Sequence, residues 1–146
     1  MYILDTNVIS ELMKEQPDKG VILWISSHNA TELYTSVIAQ AEIGYGIARL
    51  ATGGRKTALQ NAFTEIFGKV FSPERILPFD SDAARSYSII VASREHHGRP
   101  VSVLDAQTAA ICMNSNATLV TRNVKDFDLI EGLILLNPWG SGDSTI

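Results

Sequence analysis

At 146 residues the chain has the length of about one domain, enough for a real core and too little for two. Hydrophobic residues make up 45% and charged residues 19%, which excludes a disordered chain; a single cysteine, Cys112, excludes an intrachain disulfide. The formal net charge of −4 speaks against binding nucleic acid by bulk attraction alone.

The first element expected is a short strand, Tyr2-Ile3-Leu4, running into Asp5-Thr6-Asn7. Asn7 is expected to cap a helix over 8–14. No basic region precedes this apolar run and Asp5 interrupts it, so a signal peptide is not expected. No apolar stretch approaches the roughly 20 residues that span a bilayer. A cytoplasmic protein without a membrane partner is the expectation. Pro17-Asp18 should open a second helix whose apolar face includes Val21, Leu23, Trp24 and Ile25. Leu33-Tyr34-Thr35 suits a second strand, and Ser36 caps a helix to about Leu50, with Ile43, Gly46, Ile47 and Leu50 on one face.

Thr52-Gly53-Gly54 breaks the chain before an amphipathic helix over 57–71. Ile76-Leu77-Pro78-Phe79 is extended, and its proline predicts a sheet edge. A helix from Ser81 or Asp82 to about His97 ends at Gly98-Arg99-Pro100, and Ser102 begins another through about Met113. A strand over 118–121, a helical turn over 123–127 and a last strand over 133–136 follow, with a loose tail over 140–146. Short strands alternating with helices predict an α/β fold with a short, mostly parallel central sheet, in one domain over 1–139. Ligands of such folds bind outside the carboxyl ends of the strands. Asp5, Asn123 and Asp126 follow strands and should share that rim.

Charge is unevenly spread. Up to Ala48 six acids face two lysines, whereas Arg49, Arg55, Lys56, Lys69 and Arg75 outnumber Glu65 and Glu74 in the next stretch. Acid beside base suits a nuclease whose carboxylates hold metal; scattered solvated charge explains the same counts equally well.

Each carboxylate has a plain reading beside the chemical one. Asp5 sits at the end of an expected central strand, where it either caps the next helix or faces a ligand. Glu42 lies mid-helix among Ala39, Ala41, Ile43 and Tyr45, with no cation three or four residues away. It belongs to a solvent stripe or is aimed at something. Ser102-Val103-Leu104-Asp105 matches a capping box, and Asn123-Val124-Lys125-Asp126 repeats the spacing. Magnesium takes oxygen ligands and keeps several waters, so a few carboxylates suffice for it. Carboxylates that converge without a cation raise one another's pKa.

Several motifs together carry a resemblance. Asp5-Thr6-Asn7 after the first strand, Ala41-Glu42 in the helix after the second, and Asp105-Ala106 opening a late helix resemble the PIN-domain signature. Thr121-Arg122-Asn123-Val124-Lys125-Asp126-Phe127 and Asn137-Pro138-Trp139 extend it over nearly the whole chain, which is similar to VapC-type toxins of the FitB-like branch. The resemblance implies a three-layer α/β/α fold and Mg²⁺- or Mn²⁺-dependent cleavage of RNA. It also implies a homodimer, and a cognate VapB- or FitA-like antitoxin through which alone operator DNA is bound. It implies metal ligation by Asp5 and Asp105, with Glu42 completing the acidic site. Family members place the fourth acid at the position of Asn123 or at that of Asp126. This chain follows the second pattern, so Asp126 acts directly or through water, with Asn123, Thr121 and Thr6 in support.

Other readings are weaker. An aspartyl phosphatase wants a second aspartate where Asn7 stands, no glycine-rich nucleotide loop occurs, and His28, His96, His97 and Cys112 lack zinc-like spacing. The rival from another class is a catalytically weak PIN-like module that serves as the partner of an antitoxin.

Overall fold

The structure, a computed structural model, describes residues 1–140. Apart from Gly140, the tail expected over 140–146 lies outside the described residues.

Five strands form one sheet: β1 (Tyr2–Leu4), β2 (Leu33–Ser36), β3 (Ile76–Leu77), β4 (Thr118–Val120) and β5 (Ile134–Leu136). Their order is β3-β2-β1-β4-β5, and every pairing is parallel. The register sets Ile3 beside Leu119 and Leu4 beside Val120. Successive strand residues face opposite sides, so Ile3 and Leu119 enter one core while Leu4 and Val120 enter the other. All four are essentially inaccessible, each burial contributing about 1.5–3 kcal/mol. The first core is closed by α5 (Ser81–His96) and α6 (Val103–Asn114); the second lies under α1 (Thr6–Leu12), α2 (Lys19–Ser26), α3 (Val37–Ala48) and α4 (Gly54–Glu65). Helices on both faces of a parallel sheet give the three layers expected.

Caps explain where most helices start. Ser36 accepts a hydrogen bond from the Ala39 amide, Asp18 from Val21, Asp80 from Ala83 and Ser102 from Asp105. Three expectations need correction. Asn7 is not the cap of α1: Asp5 is, because leaving β1 keeps its backbone extended (φ −72°, ψ 165°) while Thr6 and Asn7 are already helical. Leu23 is 71% exposed rather than packed, since α2 turns Val21 inward and Leu23 to the opposite side. The helix expected over 57–71 begins at Gly54, and its last turn, Ile66–Val70, widens so that the Phe71 amide reaches the Ile66 carbonyl at 2.9 Å.

The chain builds β1, β2 and β3 outward in one direction and then β4 and β5 in the other. The reversal falls between β1 and β4, the place where open parallel sheets leave a crevice at their carboxyl ends.

Candidate active site

Asp5 stands in that crevice. Its amide donates to the Val120 carbonyl at 3.0 Å, extending the β1–β4 pairing by one bond. Its carboxylate accepts from three donors: the Thr6 amide on Oδ1 at 2.8 Å, and the Thr121 hydroxyl (2.8 Å) and Asn7 Nδ2 (3.3 Å) on Oδ2. Thr121 is fully buried, and its hydroxyl is saturated. It donates to Asp5 and accepts from Asn7 Nδ2 and from the Asn123 amide, both at 3.1 Å. With one proton and two lone pairs, Thr121 can only present its proton to Asp5. The network is built for an oxygen acceptor at that position.

Thr6 joins Asp5 to the next acid. Its hydroxyl donates to Glu42 Oε1 at 2.9 Å, across 36 positions of sequence. Glu42 is therefore directed at α1 rather than set on a solvent stripe. Asp105 lies in the first turn of α6, but the cap there is Ser102, which accepts from the Asp105 amide at 3.2 Å. The Asp105 side chain is left for the pocket. Asp5, Thr6, Glu42, Asp105 and Asn123 all line one pocket of about 390 Å³.

Asp126 does not join them. It sits in the 3₁₀ turn Val124–Phe127 and lines a second polar pocket on the other side of Asp105, with Arg94, Arg99 and Lys125. Asn123 makes no side-chain cap to that turn, so the capping pair suggested by its spacing is absent.

Electrostatics follow from the geometry. Burial raises the Asp5 carboxyl from its ordinary 3.8 to about 6; the Thr121 and Thr6 bonds oppose this, and the charges of Asp105 and Glu42 add to it. Glu42 is raised by burial, eased by Thr6 and pushed further by Asp105. Asp105 is also raised, by burial first, with Ser102 and Arg94 working against it and Asp126 with it. Among the described residues no ion pair involves Asp5, Glu42, Asp105 or Asp126. Asp5, Glu42 and Asp105 thus share a pocket without an ion pair among the described residues, although Lys14 and Arg122 also line it, and their mutual repulsion disfavours common ionisation unless a cation joins them.

The donor set, all oxygen and anionic, suits a hard divalent ion. Among the described residues no three His, Cys, Asp or Glu side chains stand close enough to ligate one ion together. One or two carboxylates with several waters is an ordinary arrangement for Mg²⁺, and Asp5 and Asp105 line the same pocket.

Some participants had no sequence signal of their own. Asn7, read as a cap, instead ties Asp5 to Thr121 and accepts from the Arg122 amide at 3.1 Å. Arg94 is 4% exposed. It donates through Nε to the Arg99 carbonyl (2.7 Å) and through Nη1 to the carbonyls of Asp126 (3.1 Å) and Asp128 (2.8 Å), joining α5 to the turn that carries Asp126. A charge in the expected helix 81–97 gave no hint of burial.

Comparison with known proteins agrees with this architecture. The PIN-domain family matches residues 2–133. The VapC ribonuclease Y4jK of Sinorhizobium fredii is 38% identical over 141 residues, covering 95% of this chain and 98% of the relative. Toxin FitB of Neisseria gonorrhoeae is 34% identical, covering 95% and 99%. Among solved structures, FitAB bound to the IR36 DNA fragment superposes with a TM-score of 0.88 at 33% identity, covering 98% of this chain and 99% of that one. VapBC2 from Rickettsia felis, bound to a DNA fragment from its promoter, gives 0.79 at 27% identity, covering 95% and 98%.

Proposed function

This chain belongs to the PIN-domain family, and from that premise we propose that it is the ribonuclease toxin of a toxin–antitoxin pair, acting in the cytoplasm and dependent on Mg²⁺ or Mn²⁺. The observation that carries the reading is the pocket at the β1–β4 crevice, which Asp5, Glu42 and Asp105 line together while none of them, among the described residues, is held in an ion pair. Asp5 and Asp105 would hold the ion, which when bound supplies positive charge to the attacked phosphate of RNA. The rest is done by the chain itself. Thr121, Thr6 and Asn7 fix the Asp5 oxygens as acceptors. Thr6 holds Glu42 by Oε1 alone, which leaves Oε2 to take a proton from an attacking water, and a raised carboxyl pKa suits that task. Asn123 and Thr121 brace the rim, and Asp126 acts from behind Asp105 through its charge.

The partner is a cognate antitoxin, and the pair binds operator DNA through the antitoxin, with the toxin as a homodimer. Two solved structures support this partner: FitAB bound to the IR36 DNA fragment, and VapBC2 bound to a DNA fragment from its promoter. The acidic pocket opens, through Thr6, Ser10, Lys14 and Glu42, into a groove of about 860 Å³ between α1, α3 and α4. An antitoxin segment in that groove would bring a basic side chain, best an arginine, among the carboxylates. Purified protein with Mn²⁺ should cleave RNA, and Asp5→Asn should abolish cleavage while the fold survives. Activity of Asp5→Asn within a few-fold of the parent would end the reading.

A further inference from the structure

Beyond the acids, the pocket has a second chemical character. Arg122 and Trp139 line it together with Asp5, Glu42 and Asp105. The Arg122 guanidinium lies over the Trp139 indole, its central carbon 5.1 Å from the ring centroid. Arg122 is exposed and, among the described residues, makes no ion pair although four carboxylates, Asp5, Glu11, Glu42 and Asp105, line its pocket. It is held by an aromatic face instead.

Both halves of this pair are anchored. The Arg122 amide donates to Asn7 Oδ1 at 3.1 Å, directly after fully buried Thr121. Trp139 packs against the core under α1 and α2, and its amide donates to Asn137 Oδ1 at 3.0 Å. The backbone around Trp139 closes on Gly20: a Cβ there would meet the Gly140 carbonyl oxygen at 2.6 Å and that of Pro138 at 3.1 Å. The guanidinium is thus held at the ring, while the residue as a whole stays exposed and presents a planar cation at the rim of the acidic pocket.

Planar cations and aromatic rings are the surfaces on which unpaired bases stack in single-stranded RNA. We propose that Arg122, backed by Trp139, is a stacking platform for one base of a single-stranded RNA lying next to the phosphodiester held at the acids. The proposal rests on the ribonuclease reading and adds a positioning role: a stacked base fixes the ribose–phosphate that follows it, so the chain enters the pocket in one register. Stacking is tolerant of base identity, so the platform selects unpaired RNA over duplex rather than one sequence.

The test is binding of fluorescent eight-nucleotide RNAs in EDTA, where cleavage does not intervene. One RNA is intact, and each of the others lacks the base at one successive position. The parent should bind one of the abasic RNAs about tenfold more weakly than the intact strand. Arg122→Lys keeps the charge and loses the plane. It should bind all the RNAs alike, at the parent's weakest affinity, with an unchanged dependence on salt. Trp139→Leu, which retains an apolar contact with the core, should behave in the same way, and circular dichroism checks both folds. A parent indifferent to every missing base, or an Arg122→Lys variant that keeps the parent's discrimination, overturns the proposal. Normal RNA binding by Arg122→Lys with lost affinity for the antitoxin also overturns it and assigns the pair to the protein partner. Failure of the parent to cleave intact RNA with Mn²⁺ counts against the ribonuclease reading instead, whatever the binding shows.

Discussion

Raising the pH of the metal-free protein from 5 to 8 should weaken its fold through Asp5. The carboxyl titrates near 6 in the folded chain against 3.8 for an ordinary aspartate, so between those values the folded state binds the extra proton. Stability then falls as pH rises, and the loss is complete above the folded value. The full shift is worth about 3 kcal/mol at about 1.36 kcal/mol per pH unit. Since unfolded Asp5 is already mostly ionised at pH 5, about 1.4 kcal/mol of this falls between pH 5 and 8. Urea unfolding in EDTA measures it, with Asp5→Asn as the reference. That variant cannot titrate, but it carries a pH-independent cost. Thr121 presents a proton to Oδ2 and Thr6 an N–H to Oδ1, so either orientation of the amide sets a donor against a donor, at about 1–3 kcal/mol. The difference between parent and variant should therefore change with pH by about 1.4 kcal/mol in the variant's favour. Mn²⁺ should reverse the trend in the parent above pH 6, adding about 2.7 kcal/mol at a hundredfold excess over its Kd, and should leave the variant unmoved. Parallel pH profiles for parent and variant would refute the assignment of Asp5 as a buried, strained carboxylate.

Three further outcomes follow from side-chain roles. Asp105→Asn should abolish cleavage yet cost less than about 1 kcal/mol in a thermal melt, because Ser102 and not Asp105 caps α6; a larger loss, equal with and without Mn²⁺, would make Asp105 a structural residue. Glu42→Gln keeps an oxygen for the Thr6 hydroxyl and removes a repulsive charge, so its metal-free melting temperature should match or exceed the parent's while cleavage drops at least a hundredfold. Cys112 is fully buried and burial pushes its thiol upward; iodoacetamide should leave it untouched in the native protein and label it fully in urea, as mass spectrometry reads.

How much could be read from the chain depends on how far each feature reaches. Helix starts at Ser36 and Ser102 were legible because a cap is settled within four residues. The placement of Asp5 at a strand end was equally local. Asn7 was misjudged as a cap because its actual partner, Thr121, is 114 positions away. Glu42 stood out as a lone charge on an apolar helix, but its aim depended on Thr6, 36 positions earlier. Asn123 and Asp126 follow the same strand, and only the 3₁₀ turn separates them, sending Asn123 to the acidic pocket and Asp126 behind Asp105. The burial of Arg94 and the exposure of Leu23 run against residue type and are set by neighbours from other elements.

The hydroxyl that orients Asp5 arrives late. Thr121 lies 116 positions after its partner, a stretch that takes roughly 6–23 s to synthesise at about 5–20 residues per second. Until β4 has left the ribosome and docked beside β1, Asp5 lacks both the strand to which its amide donates and the Thr121 hydroxyl that donates to Oδ2. A nascent chain halted before that point carries Asp5, Glu42 and Asp105 in covalent order but not the crevice that orients them. The order of synthesis thus acts as a timer: the acidic site is among the last features the chain completes, and growing copies stay unfinished while they are still attached.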